Sequence, residues 1–114
     1  MADSTPLSPA QVASLLLSAL DEGREVACLT VTVHPSPEMV GARVVFSGGE
    51  RLGSLQDPEA DVALVELAKA GLAAEPGILT GVHGLPLRDG AECQVYLELH
   101  HPQPELVVVG AGHL

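Results

Sequence analysis

Apolar residues recur every three or four positions near the start of the chain and predict an amphipathic helix. The apolar face of this helix consists of Val12, Leu15, Leu16, Ala19 and Leu20. Ser8 is a suitable N-cap, Pro9 suits the first helical position, and Gln11 can close a capping box. Gly23 suits the left-handed conformation that ends many helices, so the pattern predicts a helix that starts at Pro9 and stops before Gly23.

A period of two replaces the helical period after this first helix. The segment EVACLTVTV over 25–33 is rich in β-branched residues and apolar on both faces, which predicts a central strand. The segment HPSPEMVG over 34–41 predicts a loop, because its two prolines prevent regular strand pairing. Gly48 and Gly49 supply the positive φ angles of a tight turn, so residues 42–55 are predicted to form a β-hairpin.

The pattern then predicts a second helix and two further strands. Asp57 and Pro58 repeat the signal of an N-cap followed by proline, and the helix is predicted to run to about Leu72. Its inward positions are predicted to be Val62, Val65, Ala68 and Leu72. Residues 78–84 and 92–101 predict the two strands. This order of elements predicts an α+β domain with a mixed β-sheet and two main helices.

The segment LVVVGAGHL over 106–114 is a short apolar strand that leads into Gly110 and Gly112. Such a strand opens Rossmann-type domains, in which the glycines let a pyrophosphate approach the backbone. The third glycine and the following helix are missing, so the segment predicts a truncated Rossmann-type domain, with an edge strand and a flexible glycine end as the alternative. The predicted organisation is a flexible N-terminal tail over 1–7, an α+β domain over 8–101, a proline-rich linker over 102–105 and the truncated domain over 106–114.

Charge and composition argue against several kinds of partner. The chain has 15 Asp and Glu against 5 Lys and Arg, a net charge of −10, and 2% aromatic residues. It therefore lacks the basic stripe and the aromatic platforms that bind nucleic acids, and anionic membrane surfaces would repel it. The N-terminus carries no signal-peptide pattern, and no apolar run approaches the roughly 20 residues of a membrane span. We therefore expect a soluble cytoplasmic protein.

Residues with reactive side chains form no recognisable catalytic or metal site in the sequence. The five histidines lack metal-ligand spacing, so neither a metal ligand nor a catalytic residue is assigned. Cys93 has no basic neighbour in sequence that would lower the pKa of its thiol, which favours a core residue over a reactive one. Cys28 is expected in the core, and Ser36 and Ser54 have no base partner in sequence. These features are more typical of a binding protein than of an enzyme.

Three segments together resemble the XdhC/CoxI family of xanthine dehydrogenase accessory proteins. They are GREVACLTVTVHPSPEMVGARVVF, GERLGSL and AECQVYLELHHPQPELVVVGAGHL, and the likeness extends over residues 22–114. The family pattern contains Gly-x-x-Pro-x-x-x-Gly-Ala, Gly-Gly-Gly-Cys-Leu-Glu and Cys-Gly-Gly motifs, then a Rossmann-type domain that starts Gly-x-Gly-His. The resemblance implies cofactor-binding roles for Ser36, Pro37, Gly41, Gly53, Ser54 and Cys93, and for Gly110 and Gly112 where the Rossmann-type domain is complete.

The same resemblance implies a function. Members of this family take part in the maturation of molybdenum hydroxylases. They bind the molybdopterin cofactor, protect it while it acquires its sulfido ligand, and hand it to the apo-enzyme, commonly as homodimers. The resemblance therefore implies an accessory protein or chaperone with molybdopterin as cofactor, a xanthine dehydrogenase-like client and a homodimeric state.

The chain departs from the family pattern at the residues that would contact the cofactor. Glu38 stands where an arginine is usual, and the residues 56–59 replace Gly-Gly-Cys and its neighbours. Gln94 and Val95 replace the two glycines after the cysteine. Glycines let a backbone approach a phosphate and arginine binds it, whereas carboxylates repel it. The alternatives are therefore a degenerate, ligand-free module for interaction or dimerisation, and a fragment of a dinucleotide-binding oxidoreductase.

Overall fold

A computed structural model describes residues 5–73 and 80–102, which form a five-stranded sheet with one helix on each face. The helices are α1 (Pro9–Asp21) and α2 (Pro58–Leu72), and the strands are β1 (Val26–Val33), β2 (Arg43–Ser47), β3 (Glu50–Leu52), β4 (Gly81–Pro86) and β5 (Glu92–His100). The strand order is β3-β2-β1-β5-β4. The α+β class and the two main helices are therefore confirmed.

The sheet is antiparallel at every pairing of the described strands, so the prediction of a mixed sheet is wrong. The pairings make β3 and β4 run in the same direction. However, α2 connects them across one face of the sheet, and they lie at opposite edges with three strands between them. The crossover through α2 therefore creates no parallel pair, because the two strands that it joins are not neighbours in the sheet.

The predicted start and stop of α1 are confirmed in atomic detail. The backbone N–H of Gln11 donates to the Ser8 hydroxyl at 3.2 Å, and the backbone N–H of Ser8 donates to the Gln11 side chain at 2.8 Å. Pro9 occupies the first turn, and Gly23 ends the helix with a φ of +78°. The apolar face of α1 covers β1 and β2. Its buried residue Ala19 lies in one apolar cluster with residues of these strands such as Val45.

Strand β1 lies at the centre of the sheet, as its two apolar faces predict. Ala27, Leu29 and Val31 are buried in the larger core under α2. Val26 and Cys28 point the opposite way, into the smaller core under α1. The two helices therefore bury opposite faces of the same strand.

Helix α2 has the predicted bounds, and the inward positions predicted at Val65, Ala68 and Leu72 are confirmed, whereas the one predicted at Val62 is wrong. Val62 was expected to point inward, yet it is 66% exposed. The buried positions are Ala60, Asp61, Leu64, Ala68 and Gly71. The carboxylate of Asp61 accepts two hydrogen bonds from the segment before the helix. These bonds hold a polar side chain inside and turn Val62 outward.

Residues 5–7 pack against the domain and differ from the flexible tail predicted for 1–7. Leu7 is 5% exposed, and its N–H donates to the Arg43 carbonyl at 2.8 Å. The Ser54 N–H donates to the Thr5 carbonyl at 2.9 Å. These contacts come from residues far away in sequence, which local composition does not reveal.

The two hairpins also follow the sequence pattern, with one shift. Gly48 and Gly49 join β2 and β3 with φ angles of +61° and +79°, which confirms the predicted turn. Strand β4 begins and ends later than the predicted 78–84. The predicted Rossmann-type segment over 106–114 lies outside the described residues, as does 103–105 of the predicted linker.

Candidate functional site

Three loops meet at one end of the sheet around a depression of about 260 Å³. They are the loop after β1, the segment between β3 and α2, and the turn between β4 and β5. We call this site the acidic depression. Its walls consist of His34, Pro35, Ser36, Glu38, Met39, Leu55, Gln56, Asp57, Leu87 and Asp89.

The loop after β1 is held in place by backbone contacts. The Ser36 N–H donates to Nδ1 of His34 at 2.9 Å, and residues Pro37–Met39 form a single 3-10 turn. The Gly41 N–H donates to the Val31 carbonyl at 2.8 Å and returns the chain to the sheet. This arrangement places Ser36 and the exposed Glu38 at the wall of the acidic depression.

A buried polar cluster fixes the segment that carries Ser54. The Ser54 hydroxyl donates to Asp61 at 2.6 Å and accepts the Gln56 N–H at 2.9 Å. The Leu55 N–H donates to the second oxygen of Asp61 at 2.9 Å. A guanidinium nitrogen of Arg51 lies 3.5 Å from the same carboxylate. Ser54 therefore holds the backbone in position, and its hydroxyl is not available as a nucleophile.

Asp61 is the member of this cluster that sequence reasoning missed. It lies between the apolar residues Ala60 and Val62, in the first turn of a helix where acidic residues are common. One signal was present in the sequence. A serine shortly before the N-cap can reach a carboxylate in the first helical turn, which makes the pair of Ser54 and Asp61 a candidate for mutual hydrogen bonding.

Asp57 caps α2 at the edge of the acidic depression. Its carboxylate accepts from the N–H groups of Glu59, Ala60 and Arg88 at 3.1–3.2 Å. Burial opposes ionisation, but these hydrogen bonds and the Arg88 charge together outweigh it and lower the pKa of Asp57 below its usual value. The carboxylate is therefore charged at neutral pH.

The electrostatic character of the depression follows from its lining. Glu38, Asp57 and Asp89 contribute three carboxylates, and the lining contains neither lysine nor arginine. The ring of His34 accepts the Ser36 N–H through Nδ1. The site therefore favours cations or hydrogen-bond donors over anions.

Cys93, a site residue according to the resemblance, lies in the core and not in the depression. Its side chain is 0% exposed and belongs to the apolar cluster under α2. Burial raises the pKa of the Cys93 thiol, and the charges of Asp57 and Glu92 raise it further. Burial and the charge of Glu98 likewise raise the pKa of Cys28 to about 11. Neither thiol has the lowered pKa of a reactive cysteine.

We expect both thiols of the folded chain to react with Ellman's reagent at least about tenfold more slowly than those of the unfolded chain at neutral pH. The reason is that a raised pKa removes thiolate and burial blocks access. The absorbance released with and without denaturant measures both rates. A fast phase in the folded protein that disappears in Cys93→Ala would show that Cys93 is accessible.

Of the other positions assigned by the resemblance, some lie at the depression and the others lie elsewhere in the domain. Ser36 lines the depression, and Ser54 lies beneath the segment that forms its wall. Pro37 and Gly41 are exposed on the loop after β1. Gly53 is buried against Leu7 and serves packing. Gly110 and Gly112 lie outside the described residues.

No protein-family model matches the chain, and no curated protein matches it. Within residues 5–73 and 80–102, no group of three or more His, Cys, Asp or Glu side chains is placed to hold a metal ion. Neither α1 nor α2, the described helices, is long and apolar enough to cross a membrane.

Proposed function

We propose that this chain is an accessory protein for the maturation of a molybdenum hydroxylase. One observation carries the proposal. The loop around Ser36 and the segment from Gly53 to Asp57 are far apart in sequence, and both contain residues that resemble the XdhC/CoxI motifs. In the fold Ser36 of the loop and residues Leu55, Gln56 and Asp57 of the segment line one depression. Such convergence is typical of segments that share a binding role.

The lining of the depression does not fit the phosphate of molybdopterin. Three carboxylates line it, and they would repel an anion at neutral pH. Arg88 lies beside Asp57, and its charge is offset by that carboxylate. The proposal therefore assigns no cofactor step to these residues, and it places the accessory role in contact with the client enzyme.

Retention of a client enzyme tests the proposal. The immobilised chain is incubated with the apo form of a xanthine dehydrogenase-like hydroxylase and, as a control, with the cofactor-loaded form. We expect the apo form to be retained, because an accessory protein acts on the enzyme before maturation. Failure to retain either form, together with no effect on hydroxylase activation, would remove the proposed function.

A ligand-free interaction module is the second candidate, and the acidic lining and the buried Cys93 favour it. The two candidates differ in their partners. The accessory protein binds a hydroxylase, whereas the module binds itself or another protein and does not respond to molybdopterin. Retention of the apo-hydroxylase separates them, because the module would retain neither form of that enzyme, and a monomer that binds no partner at all would contradict the module.

A further inference from the structure

Helix α1 covers only part of its face of the sheet. It packs on β1 and β2, whereas β5 and β4 continue the sheet on the far side of β1. Along β5, alternate residues from Cys93 to Leu97 are buried under α2. The residues between them point to the α1 side, and every second residue from Glu92 to Glu98 is exposed there. On this face β5 and β4 therefore form a surface and not a part of the core.

Large apolar side chains lie at the centre of this surface. Tyr96 of β5 and Val82 of β4 are directly paired in the sheet, and they are 39% and 56% exposed. Thr30 of β1 pairs with the other side of Tyr96 and is half-buried. Neighbouring strands lie about 4.8 Å apart, so β5 and β4 form a floor that matches the ~10 Å width of one helix.

The side of α1 that borders this floor is apolar. Ser14 and Leu15 line a cavity together with Leu52 of β3, so their side of the helix faces the β3 edge of the sheet. Because each residue turns the helix by about 100°, the half-buried Leu16 and Leu20 lie on the opposite side, toward β5. We call the floor and this wall together the α1–β5 groove.

Carboxylates lie at both ends of the apolar centre of the groove. Glu98 follows Tyr96 on the same face of β5 at one end. At the other end Glu92 reaches over β4, with a carboxylate oxygen 2.8 Å from the point that a Cβ on Gly84 would occupy. Neither β4 nor β5 contains lysine or arginine. Arg43, which shares this face, lies on β2, with β1 between it and β5.

We propose that the α1–β5 groove binds an amphipathic helix of a partner protein, which lies beside α1. The apolar side of this helix contacts Tyr96, Val82 and Leu20, and lysine or arginine near its two ends pairs with Glu92 and Glu98. The groove shares no lining residue with the acidic depression. The proposal therefore does not depend on the function proposed above.

Charge complementarity points to a different protein as the occupant. The residues outside the described ranges, 1–4, 74–79 and 103–114, contain neither lysine nor arginine. Helix α1, which a second copy could place in the groove, also has none, and two copies would each carry a net charge of −10. Neither the rest of this chain nor α1 of a second copy therefore supplies the basic residues that Glu92 and Glu98 attract.

Tyrosine fluorescence reports directly on this groove, because Tyr96 is the only tyrosine of the chain and tryptophan is absent. The probe is a peptide as long as α1, with leucines along one side, lysines in its first and last turns and alanines elsewhere. A peptide of the same composition in scrambled order is its control. We expect acrylamide to quench Tyr96 in the free chain, and the amphipathic peptide alone to lower the quenching constant at least about twofold.

Variants of the chain locate the binding site, with affinities measured by isothermal titration calorimetry. Val82→Ser should weaken binding of the amphipathic peptide about fivefold through lost apolar contact. Glu98→Gln should weaken it about threefold through lost charge. Val62 on α2 is 66% exposed, so Val62→Ser repeats the apolar loss on the opposite face of the sheet, and Glu66→Gln repeats the charge loss there. Both controls should bind within about twofold of the original chain.

Several results would overturn the proposal. They are equal weakening in all four variants, equal binding of the scrambled peptide, and unchanged quenching of Tyr96 when the peptide is bound. Weak quenching of Tyr96 in the free chain at every concentration would show that the chain itself covers the groove. Quenching that weakens as the chain is concentrated would show that a second copy is the occupant. Either of these two results would also contradict a partner helix.

Discussion

Replacing Asp61 with alanine is expected to lower the free energy of unfolding by about 3–5 kcal/mol. The carboxylate accepts hydrogen bonds from the Ser54 hydroxyl and the Leu55 N–H, and it lies 3.5 Å from a nitrogen of Arg51. Alanine would leave the Ser54 hydroxyl and the Leu55 N–H without this acceptor in a buried place, and an unpaired buried group costs more than a hydrogen bond contributes. Urea denaturation followed by circular dichroism measures the change.

Two further variants define the origin of this loss. Ser54→Ala removes one donor to Asp61 and should cost about 1–2 kcal/mol. Glu66→Ala lies on the exposed side of α2 and should change the stability by less than about 0.5 kcal/mol. If Asp61→Ala cost no more than Glu66→Ala, the buried cluster would not hold the segment before α2.

Replacing Gly53 with alanine is expected to cost about 3 kcal/mol, because two penalties combine. Gly53 has a φ of +89°, which side chains rarely adopt. A Cβ would also lie 2.8 Å from Cγ of Leu7 and 3.3 Å from the Arg43 carbonyl oxygen. Leu7 is buried and has little room to move.

Gly41→Ala is the matched control for this prediction. Its φ is +94°, but a Cβ there would have no atom within 4 Å. It should therefore cost only the backbone term, about 1–2 kcal/mol. Thermal unfolding of both variants compares them. Equal losses of stability in the two variants would mean that the contact with Leu7 contributes nothing to the free energy of unfolding. Residues 5–7 would then be flexible, as their sequence predicts.

Local signals in the sequence were sufficient for much of the fold. The capping box at Ser8, the N-cap at Asp57 and the turn at Gly48 and Gly49 all depend on residues within a few positions of each other. The two apolar faces of β1 likewise predicted its central position. For the caps and the turn, the interactions that determine the structure join residues within a few positions of each other.

Features set by distant contacts could not be predicted in this way. The buried Asp61 accepts a hydrogen bond from Ser54 in the segment before α2, and the buried Leu7 donates its N–H to a carbonyl of β2. The antiparallel sheet depends on which edges the crossover joins. For these features, the hydrophobic pattern alone was compatible with more than one arrangement.

The candidate site was likewise predictable from the sequence only in part. The positions Ser36 and Ser54 could be selected from motif spacing, and the fold brings their segments to one depression. The absence of a basic neighbour in sequence correctly favoured a core position for Cys93, whereas the resemblance assigned it to the site. The motif spacing did not identify Asp61, whose carboxylate supports the wall of the depression from inside the domain.

The central claim is that the carboxylates lining the acidic depression disfavour the phosphate of molybdopterin. Molybdopterin binding by the native chain, beside the double variant Gln56→Gly/Asp57→Gly, tests this claim most directly. Glu66→Gln removes the same charge elsewhere, and glycine at the N-cap costs α2 only a few tenths of a kcal/mol. We expect weak binding by the native chain and by Glu66→Gln, and binding at least about tenfold tighter by the double variant. Tight binding by the native chain, or no gain in the double variant, would contradict the claim.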